Sequence, residues 1–429
     1  MIRQYIKQGL VLIKQNRFYT AVYVLGTGLA ITMVMIMAIV YHIRTANIAP
    51  ESNRDRMLIV NSGFARKENS RVGGLLSSRT VKECFYSLET AELVTAATGI
   101  DLPAYVGDFY LSTSGSLDRY KSYVRCTDAN FFKVFNYSFI VGKPFTEEEF
   151  QSGIKTAVIT ESLARNLFKE TNVQGRSILI NDNEYRVSGV VKDVSNIMNY
   201  TEGDVWIPYS AIPTVRDYST FNEIVGILHA YILAEKPSDF NMIKEEIEQK
   251  RQTYNLSFDE WKYEIRDDHI LSNMHSVLEQ MDYRVDIKTQ MWRYGWIAFL
   301  FLLIPAINLS GLMSSRMQER IVELGIRKAF GANRMTLVSQ VLTENFLLTL
   351  IGGFFGLIAS SMIVFGLRNL LFAVAFKDFV EMNISFSMLF NLPVFLYAFG
   401  FCMILNVLSS IIPVWATTRR SIVQSLYDK

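Results

Sequence analysis

Hydrophobic and charged positions are segregated along this chain. Residues 18–41, between Arg17 and His42, carry no charged side chain; nor do 294–315, between Arg293 and Arg316, or 345–367, between Glu344 and Arg368. A fourth charge-free run covers 382–418. A bilayer's hydrocarbon core takes about 20 apolar helical residues to cross, so the first three runs each predict a span. In the fourth run a span is expected over 392–416. Four spans place both termini on one side. Residues 18–41 outrun the apolar stretch of a secretory signal, and no A-x-A-like cleavage site follows them.

Charge then orients the spans. Arg3, Lys7, Lys14 and Arg17 precede the first with no acidic residue, the 316–344 loop is net basic, and the tail begins Arg419-Arg420. Basic loops stay cytoplasmic, so segments 1–17, 316–344 and 417–429 are expected inside. The first span is then 18–42, and alternation puts 43–293 and the short connection 368–391 outside. Within 1–17, Ile2, Tyr5, Ile6, Gly9, Leu10 and Ile13 share one helical face, as in a helix lying on the membrane lipid, and equally as in a plain anchor.

The 43–293 segment mixes periods. Alternating runs at 156–159, 177–180 and 185–191 read as strands, the last two joined by a turn at Asn181-Asp182-Asn183. Residues 161–168 and 239–251 read as helices, and the domain as α+β. Val277, Met281, Val285 and Trp292 keep helical spacing towards the second span, predicting a stalk. The fold class is therefore a membrane protein with four transmembrane helices and a large α+β domain inserted between spans one and two.

Composition narrows the chemistry. A net charge of +2 with no long basic run or basic-aromatic platform gives no footprint for nucleic acid. Cys84, Cys126 and Cys402 fit no zinc spacing; Cys84 and Cys126 could pair only if their domain faces an oxidising compartment. Asp267, Asp268, His269 and His275 fit a solvated stalk face better than a metal site, and no cofactor is implied. No G-x-x-x-x-G-K-[ST] loop and no G-x-S-x-G elbow occur, so neither ATP hydrolysis nor hydrolase chemistry is expected of this sequence.

Residues 316–332, RMQERIVELGIRKAFGA, carry Arg316, Glu319, Arg320, Glu323 and Arg327 along one helical stripe, with Gly331 where a C-terminal cap belongs. Glu323 and Arg327 stand i, i+4 in the favourable order. The stripe suits a docking surface and a solvated helix face equally. In the third span, Gly352, Gly353 and Gly356 give G-x-x-x-G spacing, which permits close helix packing. Pro305, Asn308 and Pro413 are candidate kink or polar contact points.

Taken in order, ERIVELGIRKAFGA (319–332), LTENFLLTLIGGFFGL (342–357) and PVWATTRRSIVQSL (413–426) resemble the MacB/FtsX-type ABC permease family, with Val423 where that family usually has proline. YVRCTDANFFKVFNYSFIVGKPF (123–145), AVITESLARNLF (157–168), VQGRSILINDNEYRVSGVVKDV (173–194) and VWIPYS (205–210) resemble its periplasmic core domain. The resemblance implies a bacterial inner-membrane protein working as a homodimer, or with a paralogous permease, on separate ABC ATPase subunits. Glu319, Arg320, Glu323, Arg327 and Lys328 become the expected ATPase-coupling residues. It also implies a two-lobed outer domain, mechanotransmission, and efflux or extraction with a periplasmic adaptor and outer-membrane channel. The alternative is an FtsX-like regulator of a hydrolase or a sensor.

Overall fold

The computed structural model describes residues 17–99, 102–115, 118–266, 269–279, 329–372, 386–389 and 391–419, with scattered positions between 289 and 327. The amphipathic start, most of the second expected span, and Pro305, Asn308, Asp267 and Asp268 lie outside the described residues. The chain forms two compact units: Met1–Arg44 with Val285–Leu371 and Ser385–Lys429, and Thr45–Arg284 with Phe372–Ile384.

Three long helices, Arg17–Thr45, Arg334–Gly366 and Leu392–Arg419, make up most of the described part of the first unit. Within them, Thr20–Thr45 (26 residues) and Met335–Gly366 (32 residues) are long and apolar enough to cross a membrane. At 1.5 Å per residue they measure about 39 and 48 Å, beyond the ~30 Å hydrocarbon core. The first helix runs to Thr45. Its buried stripe, Tyr23, Thr27, Ile31, Met35, Ile39 and Ile43, has helical spacing, while Phe18, Leu25, Leu29 and Tyr41 point outward. An apolar outer face needs an apolar solvent. Buried Thr27 and Thr32 donate to carbonyls of their own helix, Tyr23 O (2.8 Å) and Gly28 O (2.7 Å), so neither hydroxyl is left unpaired.

The second unit is α+β. Chain entry and exit lie side by side, because strand Met57–Val60 pairs antiparallel with Ile270–Ser272 on one edge and Leu228–Leu233 on the other. Leu228–Leu233 pairs in turn with Leu93–Thr98. Farther along, Val124–Thr127 runs parallel to Val205–Pro208, followed by Thr156–Thr160, Asn183–Val191 and Ser177–Ile180. The expected runs 156–159, 177–180 and 185–191 fall on these last three strands, and 161–168 and 239–251 fall on helices Glu161–Phe168 and Phe240–Asn255.

The turn between Ser177–Ile180 and Asn183–Val191 places Asn181 and Asp182 at φ 46° and 64°. Asn and Asp tolerate this left-handed region, and a two-residue turn there matches strand twist. The core behind these strands includes Trp206, Phe131 and Phe135, all fully buried, with Tyr137 edge-on to Trp206 at 5.0 Å. Cys84 and Cys126 are buried and unbridged, and burial pushes each thiol up to about 12.

Candidate functional site

Four local arrangements bear on function. The first ties chain entry to chain exit within the outer domain. Six residues beyond the 17–45 helix, the Glu51 side chain is fully buried and pairs with Arg54, which is 4% exposed, at 2.6 Å. The other Glu51 oxygen accepts from the Tyr200 amide and the Thr201 hydroxyl, each at 3.0 Å. The Tyr200 hydroxyl donates to Ser276 Oγ at 2.7 Å, on helix Asn273–Glu279 that follows the exit strand. Arg54 also donates to Ala46 O (3.0 Å) and Met198 Sδ (2.8 Å). Segments 46–54, 198–201 and 273–279 are thereby joined through buried polar groups, whose loss is costly.

A second arrangement knits two groups of strands. Leu93–Thr98 and Val124–Thr127 share a single residue pair, Ala97 with Thr127, so side chains carry most of this seam. Arg125, fully buried, donates to Thr98 O (2.7 Å), Glu202 O (2.8 Å), Asn199 O (3.0 Å) and the Tyr123 hydroxyl (3.1 Å). Asp128 accepts from the Ala96 and Phe131 amides (both 2.9 Å), the Tyr86 hydroxyl (2.5 Å) and Thr95. Burial pushes its carboxyl up to about 6, against the opposing pull of those donors. Beside the seam lies a cleft of about 420 Å³ lined in part by Tyr86, Glu92, Asp128, Lys133, Glu147 and Phe150.

The third arrangement involves the expected coupling segment. Glu319, Arg320, Glu323 and Lys328 lie outside the described residues; Arg327 is described. Its Nη1 donates to Gln340 Oε1 at 2.6 Å, and Gln340 Nε2 donates to Glu344 Oε1 at 3.2 Å. Both partners are on helix Arg334–Gly366, 5% and 2% exposed. Sequence reasoning missed Gln340 and used Glu344 only as a span boundary. Their i, i+4 spacing in an otherwise apolar stretch was the available signal.

Fourth, the glycines sit where helices approach closely. A Cβ on Gly352 would lie 2.5 Å from Thr27 Oγ1 and 3.2 Å from Gly28 N, and one on Gly356 would lie 3.1 Å from Gly28 O. Gly353 faces Phe399 instead, at 2.3 Å from such a Cβ. The two faces of GGFFG therefore meet the 17–45 and 392–419 helices respectively. His269, from the sequence cluster, hydrogen-bonds Ser62 Oγ through Nδ1 at 2.7 Å and packs edge-on to Phe64.

A family profile described as MacB-like periplasmic core domain matches residues 20–250, and one described as FtsX-like permease C-terminal matches 295–422. The uncharacterized ABC transporter permease YknZ of Bacillus subtilis (strain 168) is 27% identical over 216 residues, 50% of either chain. The pyoverdine export ATP-binding/permease protein PvdT of Pseudomonas fluorescens (strain Pf0-1) is 27% identical over 345 residues, 80% of this chain and 49% of PvdT. This chain thus spans about half the length of these relatives. Among solved structures, the periplasmic region of MacB from Actinobacillus actinomycetemcomitans is 15% identical with a TM-score of 0.37, covering 55% of this chain and 95% of that one. The extracellular domain of YknZ from Gram-positive bacteria gives 12% and 0.35, covering 49% and 100%. With one profile matching over half of the chain and the other most of the remainder, the chain belongs to the family of MacB/FtsX-like ABC transporter permeases, membrane-embedded proteins with a periplasmic domain.

Proposed function

We propose that this chain is the permease subunit of an inner-membrane ABC complex that converts ATP hydrolysis on separate subunits into movement of its periplasmic domain, driving efflux or extraction of a substrate from the periplasmic side. It spans the membrane four times with both termini cytoplasmic, and it acts as a dimer with itself or a paralogue. The observation that carries this reading is the convergence of chain entry and exit on one buried joint. Strand Met57–Val60 pairs with Ile270–Ser272, and Glu51, Tyr200 and Ser276 link the flanking segments. A domain held at two adjacent ends through rigid contacts can receive a displacement, where a domain on a loose tether would absorb it. Export in the name of PvdT supports the efflux branch, with an adaptor and an outer-membrane channel as the partners such a route needs.

The test is purification of the tagged chain from its native membrane with whatever co-purifies. An ATP-binding subunit should be recovered, and trapping it with a non-hydrolysable ATP analogue should change hydrogen exchange at amides 196–201 and 270–279. Flexible Gly/Ser insertions after Thr45 and Thr289 should leave assembly and hydrolysis intact and abolish that change. Recovery of no ATPase, or insertion variants that keep both the exchange change and biological activity, would refute the proposal.

A further inference from the structure

The coupling segment carries its charges in a stripe, and a stripe invites the reading that each charge docks the ATPase. Arg327 departs from it. Its side chain is turned onto the chain's own next helix, 2.6 Å from Gln340 Oε1. Its backbone is committed to the same place: Arg327 O accepts from the Ala332 amide at 3.0 Å across a turn in which Gly331 takes φ 86°. A left-handed glycine closes a helix end sharply, so the segment ending at Ala332 and the helix beginning at Arg334 are held at a fixed angle. Gln340 is engaged at both ends of its amide along the same line, accepting from Arg327 and donating to Glu344 at 3.2 Å.

These polar groups lie on the buried face. Leu337, Gln340, Val341, Glu344 and Leu348 are at most 5% exposed and recur at helical spacing. A carboxylate with 2% exposure at the head of an apolar helix is expensive and is retained only where its partners are fixed. A chain of hydrogen bonds whose Gln340 and Glu344 end is buried acts as a stiff unit, because each bond polarises the next and water is kept from that end.

We infer that Arg327, Gln340 and Glu344 form a relay that passes displacement of the coupling segment into helix Arg334–Gly366, with Gln340 and Glu344 as positioning residues that do not touch the ATPase. This rests on the permease reading above and assigns the transmitting step within it. Docking is left to the charges on the remainder of the stripe.

The relay makes a distinct prediction for the complex of this chain with the ATPase subunit that co-purifies with it. Gln340→Leu should keep ATPase recovery and hydrolysis while losing the nucleotide-dependent exchange change at amides 196–201. The exchanged pair Gln340→Glu with Glu344→Gln should restore that change, since the carboxylate placed at position 340 accepts from Arg327 and the amide placed at position 344 donates to that carboxylate. A purely structural role would not separate hydrolysis from outer-domain response. If Gln340→Leu keeps the response, or loses ATPase binding together with it while the exchanged pair binds normally, the relay is wrong and the permease reading stands. If the wild-type complex shows no response, both fall. Should Gln340→Leu fail to fold, the exchanged pair decides alone: it overturns the relay by assembling and hydrolysing ATP without an outer-domain response.

Discussion

Replacing Arg54 by methionine is the sharpest perturbation of the entry-exit joint. Methionine keeps most of the side-chain length and removes the charge. Glu51 then remains buried with only the Tyr200 amide and Thr201 hydroxyl as donors, having lost contacts of 2.6 and 2.7 Å to the guanidinium. Removing one partner of a buried ion pair costs about 3–5 kcal/mol, and two surviving hydrogen bonds argue for the low end, about 3 kcal/mol. Each 1.4 kcal/mol is tenfold in an equilibrium constant, so opening of the outer domain should become about 10²-fold more frequent. The assay is hydrogen exchange of the central strand Leu228–Leu233 in the purified full-length chain. The double variant Glu51→Gln, Arg54→Met removes both charges while keeping an acceptor for Tyr200 and Thr201, and it should recover about 1–3 kcal/mol relative to Arg54→Met. A loss below about 1 kcal/mol for Arg54→Met, or a double variant no better than the single, would show that the pair is not an isolated buried contact.

Two further predictions follow from the seam and the helix contacts. The Asp128 carboxyl is pushed up to about 6, so the folded state holds its proton more tightly than the unfolded state; the stability contributed by Asp128 should be fully present below about pH 4 and be lost, by roughly 3 kcal/mol, as pH rises through about 6. This decline should appear in the difference between wild type and Asp128→Asn in pH-dependent denaturation, and a flat difference would refute it. Gly352→Val places carbon 2.5 Å from Thr27 Oγ1 and should lower thermal stability in detergent by about 1–3 kcal/mol, whereas Gly366→Ala, with nothing within 4 Å in a helical position, should be neutral or gain up to about 1 kcal/mol. Equal effects of the two substitutions would remove the close-packing account.

Much of the local architecture was legible in sequence because its causes are local. Freedom from charge over 18–41 and 345–367 reflects the solvent those helices need; the first run lies within helix Arg17–Thr45, and the second follows helix Arg334–Gly366 to within one residue of its end. The 177–191 hairpin follows from alternation plus Asn181 and Asp182, residues that accept a left-handed backbone without help from the rest of the chain. Helix Glu161–Phe168 likewise begins where Thr160 accepts from the Leu163 amide, a cap written within four residues.

The functional joints have no such local cause. Thr156–Thr160 pairs in parallel with Asn183–Val191, and Met57–Val60 antiparallel with Ile270–Ser272, pairings set by topology across stretches whose residue spacing carries no trace of them. Glu51 reads as an ordinary acidic residue after a proline until Tyr200 and Thr201 arrive from the far side of the domain. Arg125 reads as a surface charge in a strand until four oxygens surround it. Arg327 reads as one more member of a charged stripe, paired with Glu323 by the i, i+4 rule; its bond to Gln340, across the turn at Gly331, is visible only in the structure. Short-range sterics and hydrophobic period determine where helices and strands form, whereas a buried polar group's partner is chosen by which distant backbone the fold brings within about 3 Å, and only the tertiary structure decides that.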